Sequence, residues 1–134
     1  DAVLLIEESC GGQARLSKDD YVEGAPELVA EIATSSAAID LGDKKRVYRR
    51  NGVQEYIVWQ VYDQKVDWFY LEESEYVSLP VEADGVIRSR RFPGLWLAMD
   101  ALLAGNMVQV LAVLQQGVAT PEHIAFVQQL SKPD

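Results

Sequence analysis

Residues 26–36 read PELVAEIATSS, and a glutamate, Glu31, stands in the middle of this apolar run. A run so short and so apolar predicts a buried strand. An ionised carboxylate is costly there unless a partner compensates it. On a strand, Val29, Glu31 and Ala33 share one face, and Leu28, Ala30 and Ile32 share the other. Glu31 is therefore expected to point out of a sheet that is apolar on its opposite side. Partners follow in the sequence: Asp40, Lys44 and Tyr48 stand four residues apart, which places them on one face of a helix. A short return from strand to helix brings Lys44 within reach of Glu31.

Two chemistries are open to such a set. One is a structural ion pair, with Glu31 met by a helix lysine or arginine that fixes the packing. The other is catalytic. Two carboxylates on neighbouring strands can hold a divalent cation such as Mg²⁺, while a lysine orients a water or stabilises charge on a phosphate. The second carboxylate would be Asp1, at the head of DAVLLI.

The elements that must position these residues are legible in outline. DAVLLI (1–6) predicts a strand, and residues 7–24, broken by Gly11, Gly12 and Gly24, predict a loop. Pro26 introduces a strand over 27–34. Ser35 and Ser36 are N-cap candidates for a helix over 37–50, with Gly52 at its stop. Strands follow at 55–61, 65–71 and 75–79, with a shorter one near 86–90, separated by YDQK, EESE and EADG. From about Met99 the chain reads as helical. Thr120 caps the last helix, and Pro121 takes its first position. The order β, β, α, several β, then α places the chain in the α/β or α+β class, as one domain over 1–134.

Composition sets outer bounds. With 134 residues, 49% hydrophobic and 25% charged, the chain is long enough and apolar enough to bury a core. Its net charge of −9 opposes long-range attraction to nucleic acid, so DNA as a partner requires local basic patches or a metal. Lys45, Arg49 and Arg50 are candidates for phosphate contact, followed by Arg88, Arg90 and Arg91; a solvated helix face and a charged β edge are the competing readings. Trp59, Trp68, Phe69 and Tyr70 are expected to pack on a sheet face or in a homodimer contact rather than to stack on bases. No apolar stretch approaches the roughly 20 residues of a membrane span. The single cysteine, Cys10, forms no internal disulfide, which suits a reducing cytoplasm. With His123 it is too little for a usual zinc ligand set, and His123 is expected at the surface with no chemistry assigned.

Taken in order, Asp1 in DAVLLI, then APELVAEIATSS, then DLGDKKRVYRRNGVQEYIVW resemble the Uma-two family of restriction-endonuclease-like domains, in the PD-(D/E)xK nuclease superfamily. The similarity extends through SRRFPGLWL. It implies a mixed sheet flanked by helices, with a β-meander and a helical C-terminus, and a Mg²⁺-dependent endonuclease hydrolysing DNA phosphodiester bonds. On this resemblance Asp1 and Glu31 are the metal-binding acids. Lys44 is the catalytic lysine, moved from the superfamily's usual place two residues after the acid, where Ala33 stands, and Asp40 and Tyr48 flank it. Gln60 stands where the family often carries an aspartate. The family's N-terminal helix and first strands have no counterpart, so the natural protein is expected to be longer. A non-catalytic interaction or regulatory domain, or a structural dimer module, is the alternative function.

Overall fold

The computed structural model describes residues 2–34 and 37–131, and their contacts fall into two units, 2–78 and 79–131. The first unit opens with β1 (Ala2–Leu4), a single 3-10 turn (Glu8–Cys10) and a two-stranded ribbon of β2 (Arg15–Leu16) and β3 (Val22–Glu23). Then come β4 (Leu28–Ala33), α1 (Ala37–Leu41), α2 (Asp43–Arg50), β5 (Glu55–Gln60), β6 (Lys65–Glu72) and β7 (Glu75–Ser78). Five strands form one sheet in the order β1-β4-β5-β6-β7. Only β4 and β5 run parallel; the other neighbours are antiparallel. A parallel pair needs a crossover, and α1–α2 supply it. The mixed sheet with its crossover helices fits the restriction-endonuclease-like α/β fold.

Val29, Ala33, Val53, Tyr56, Val58 and Phe69 form the core of this unit, with Leu41, Tyr48 and Tyr76 packed on it. Glu31 lies on the same sheet face as Val29 and Ala33, beside Val58 on β5. Glu31 points under the helices into the more deeply buried face, whereas Ile32 on the opposite face is 49% exposed. Both faces of LVAEIA are apolar, so period-2 alternation alone does not reveal which one the helices cover.

The helix expected over 37–50 is two helices. Gly42, at φ −107° and ψ −98°, leaves the helical region, and α2 restarts with the Arg46 N–H donating to the Gly42 carbonyl. Glycine carries the largest backbone-entropy cost of the common helix residues, so it is the natural place for the break. The N-caps expected at Ser35 and Ser36 lie outside the described residues. At the other end Gly52 stands as expected, at φ +82° with its N–H on the Arg49 carbonyl.

Residues 7–24 are more ordered than a plain loop. Buried Glu27 accepts from the Ile6 N–H at 2.6 Å through one carboxylate oxygen and from the Gln13 N–H at 3.2 Å through the other. The segment closes tightly enough that a Cβ on Gly12 would sit 1.7 Å from the Ile6 carbonyl oxygen, so only glycine fits.

The second unit contains the hairpin β8 (Val86–Arg88) and β9 (Trp96–Ala98), then α3 (Met99–Leu103), α4 (Met107–Val118) and α5 (Pro121–Leu130). Val86, Ala98 and Val113 are its core, with Trp96 and Ala101 against them. The Thr120 hydroxyl accepts from the His123 N–H, capping α5 as expected. The His123 ring is half-buried, with Nδ1 2.9 Å from the Pro93 carbonyl, so it is a packing residue rather than a surface one. Among the described residues, no helix is long and apolar enough to cross a membrane.

Candidate active site

Glu31 is 4% exposed, and its two carboxylate oxygens are held by different groups. Tyr48 donates its hydroxyl to Oε1 at 2.8 Å, and the Lys44 ammonium lies 3.4 Å from Oε2. The same ammonium lies 3.3 Å from Asp40 Oδ1. Asp40 is itself only 8% exposed, while the Lys44 side chain stays 41% exposed. The four-residue spacing survives the break at Gly42: α1 delivers Asp40, and successive turns of α2 deliver Lys44 and Tyr48. The cluster thus has buried acids on the inside and a cation at its mouth.

An aromatic layer supports it. The Tyr48 and Tyr56 ring centroids are 5.0 Å apart, and Tyr56 packs in turn on Phe69 and Tyr76. Tyr56 donates its hydroxyl to the Asp40 backbone carbonyl at 2.8 Å, tying α1 to β5. Tyr76 does the same to the Val53 carbonyl at 2.7 Å. These two tyrosines carry no chemistry in the sequence reading, yet they anchor the segments that carry it. The trace of Tyr56 in the sequence is its place in GVQEY, where it falls on the core side of β5.

The charges shift accordingly. Hydrogen bonding to Asp40, followed by the charge of Glu31, holds the Lys44 ammonium above the ordinary lysine value, against an opposing effect of desolvation. Burial first, and then the hydrogen bond to Glu31, pushes the Tyr48 hydroxyl up to about 12. Both groups therefore keep their protons near neutral pH.

The other sequence candidates fall elsewhere. Asp1 lies outside the described residues; the β1–β4 ladder is described up to the pair Ala2↔Ala30, one residue short of Glu31 on β4. Lys45 sits with its ammonium 3.8 Å from the centroid of the Phe69 ring. Arg49 donates to the Ser74 carbonyl at 3.1 Å, and Arg50 is exposed. None of these three contacts Glu31 in the described interactions. Arg88 is engaged by Glu82 and Asp84 and lies over Trp96, and Arg91 lies over Phe92 and Phe126. Trp59 and Trp68 occupy the sheet face opposite Glu31, where Trp68 donates to Glu55; Phe69 is on the core face. Gln60 shares the face of Glu31 one pair further along, and its amide donates to Asp67.

Glu31 and Asp40 offer hard oxygen donors of the kind Mg²⁺ prefers. Among the described residues no group of three metal-ligating side chains converges, so this part of the site supplies an incomplete donor set. What is present fits a hard cation in chemical type.

Fold and cluster together define a restriction-endonuclease-like α/β domain. The Uma2 family model, described as "Putative restriction endonuclease", matches residues 1–100, and the chain belongs to this family. α4 and α5 lie beyond the matched residues. No curated protein matches the chain.

Proposed function

We propose that the chain is the core of a divalent-metal-dependent endonuclease that hydrolyses phosphodiester bonds of DNA. The supporting observation is the burial of Glu31 between a tyrosine hydroxyl and a lysine ammonium at the solvent-facing mouth of the cluster. Asp1 and Glu31 would hold Mg²⁺, Asp1 being the residue before Ala2, whose β4 partner is Ala30. The bound metal would polarise the phosphate and lower the pKa of an attacking water.

The chain's own residues have separable tasks. Lys44 would act as a cation at the mouth of the cluster, where its ammonium faces Glu31 and Asp40. It donates hydrogen bonds to the incoming water or to a phosphate oxygen and offsets the charge that builds there. Asp40 holds that ammonium in place. Tyr48 fixes one oxygen of Glu31 and leaves the other facing Lys44.

The test is cleavage of plasmid DNA by the full natural protein, with Mg²⁺ and with a chelator. Wild type is expected to nick or cut only with Mg²⁺, and Glu31→Gln and Lys44→Met are each expected to lose activity by about 100-fold or more. Undiminished cleavage by Glu31→Gln would overturn the assignment.

A further inference from the structure

On the other flank of α2 lies an open cleft of about 300 Å³, lined by Leu41, Gly42, Lys45, Arg46, Arg49 and Glu75, with Tyr76 at its side. Three cations and one carboxylate line it, in a chain whose net charge is −9. Lys45 and Arg49 are one helical turn apart, offset by a single residue from Lys44 and Tyr48. α2 therefore carries two adjacent ridges: one turned to Glu31, the other to this cleft.

The cations are held in place by different means. Lys45 rests its ammonium on the Phe69 ring, an apolar floor that orients the charge without neutralising it. Arg49 is fixed by the Ser74 carbonyl, and its ion pair to Glu75 is long, at 3.9 Å. Arg46 is paired with Asp43, an exposed contact of the kind worth little in water. The Glu75 side chain is 76% exposed. A phosphate group would find several N–H donors there, from Lys45, Arg46 and Arg49.

The geometry points to this cleft as a second anion site, which takes a backbone phosphate of a DNA strand lying across α2 while a neighbouring part of that strand reaches Lys44 and Glu31. It rests on the proposed function for the identity of the ligand as DNA. Its charged residues belong to the cleft alone and make no described contact with Glu31. Arg46 enters the set here, and Arg50, exposed at the end of α2, is outside the lining.

Binding of a fluorescently labelled short DNA duplex to the full protein in chelator, across a salt series, tests it without any cleavage. The double variant Lys45→Gln/Arg46→Gln is expected to bind about tenfold more weakly and to lower the slope of log K against log salt by about 2. Arg49 is left intact because it holds the Ser74 carbonyl. Lys18→Gln, an exposed lysine in residues 7–24, is the control and should change little. Glu75→Gln tests the same cleft with the opposite sign: it should tighten binding, and it keeps the proposal falsifiable if removal of Lys45 from Phe69 harms folding. Equal affinity for the double variant and Lys18→Gln, or no gain from Glu75→Gln, overturns the proposal. Inorganic phosphate, compared with chloride at matched ionic strength, separates the sources. If it stabilises wild type but not the double variant while duplex affinity is unchanged, the cleft is a small-anion site and the DNA assignment falls. Undiminished cleavage by Glu31→Gln, with duplex affinity still lowered in the double variant, would overturn the catalytic assignment and leave the cleft standing, so the two readings fail independently.

Discussion

Glu27 and Glu31 are four residues apart, and both are buried, at 1% and 4% exposed. Their surroundings differ in kind. Glu27 gives both oxygens to backbone N–H groups, of Ile6 and Gln13, and so staples the segment before β4 to the sheet. Glu31 gives its oxygens to side chains, Tyr48 and the partly exposed Lys44. Backbone donors are fixed by the fold and cannot follow a ligand. Side-chain donors at an open mouth can yield to one. A buried carboxylate is therefore no mark of function in itself; the nature of its partners separates the staple from the candidate site.

The largest expected effect comes from breaking the staple. Glu27→Ala leaves two backbone donors without acceptors, at roughly 1–3 kcal/mol for each unsatisfied group. Urea or thermal unfolding should show a loss of about 2–5 kcal/mol for Glu27→Ala, with any fall in cleavage following the fraction folded. A cost below about 1 kcal/mol would mean that water replaces the carboxylate there.

Glu31→Gln should invert that pattern. The amide oxygen still accepts from Tyr48, so the fold loses much less than in Glu27→Ala, while a hard cation loses a charged ligand. Cleavage is expected to fall by about 100-fold or more with the unfolding midpoint close to wild type. If Glu31→Gln destabilises as much as Glu27→Ala, Glu31 is a structural ion-pair partner and the distinction between the two glutamates collapses.

Most of the first unit was legible because its signals are local. A glutamate in LVAEIA, the four-residue steps of Asp40, Lys44 and Tyr48, and Gly52 after the helix all act over one or two turns. The spacing placed Lys44, rather than Lys45, at Glu31, and the ion pair agrees. What escaped depends on distant partners. Glu27 looks like an ordinary strand-edge acid until the N–H groups of Ile6 and Gln13 arrive. The short strand β9 turns on tertiary packing that overrides weak propensities. Tyr56 gave no sign that its hydroxyl would pin Asp40 from another element.

The smallest expected effect isolates the Glu31 side of the contrast. Tyr48→Phe keeps the ring against Tyr56 and removes only the donor to Glu31, so it should cost about 1 kcal/mol. Its pH dependence gives the sharper signature. The Tyr48 hydroxyl titrates at 10.0 when unperturbed and is pushed up to about 12 in the fold by burial and by Glu31. The folded state therefore holds this proton more tightly than the unfolded chain. The stability it confers is fully present below pH 10 and is lost as pH rises through about 12. Lys44 is raised too, first by Asp40, so its contribution fades in the same direction at alkaline pH. Burial also raises Tyr56 and Tyr76, and these keep titrating in the variant. Wild type should thus lose stability steeply above pH 10, and Tyr48→Phe should lose it less steeply between 10 and 12, with the two curves converging at the alkaline end. Urea midpoints measured across that range check the slope. Parallel curves for wild type and Tyr48→Phe would show that the hydroxyl is not held by Glu31 in solution, and the side-chain clamp that distinguishes Glu31 from Glu27 would reduce to Lys44 alone.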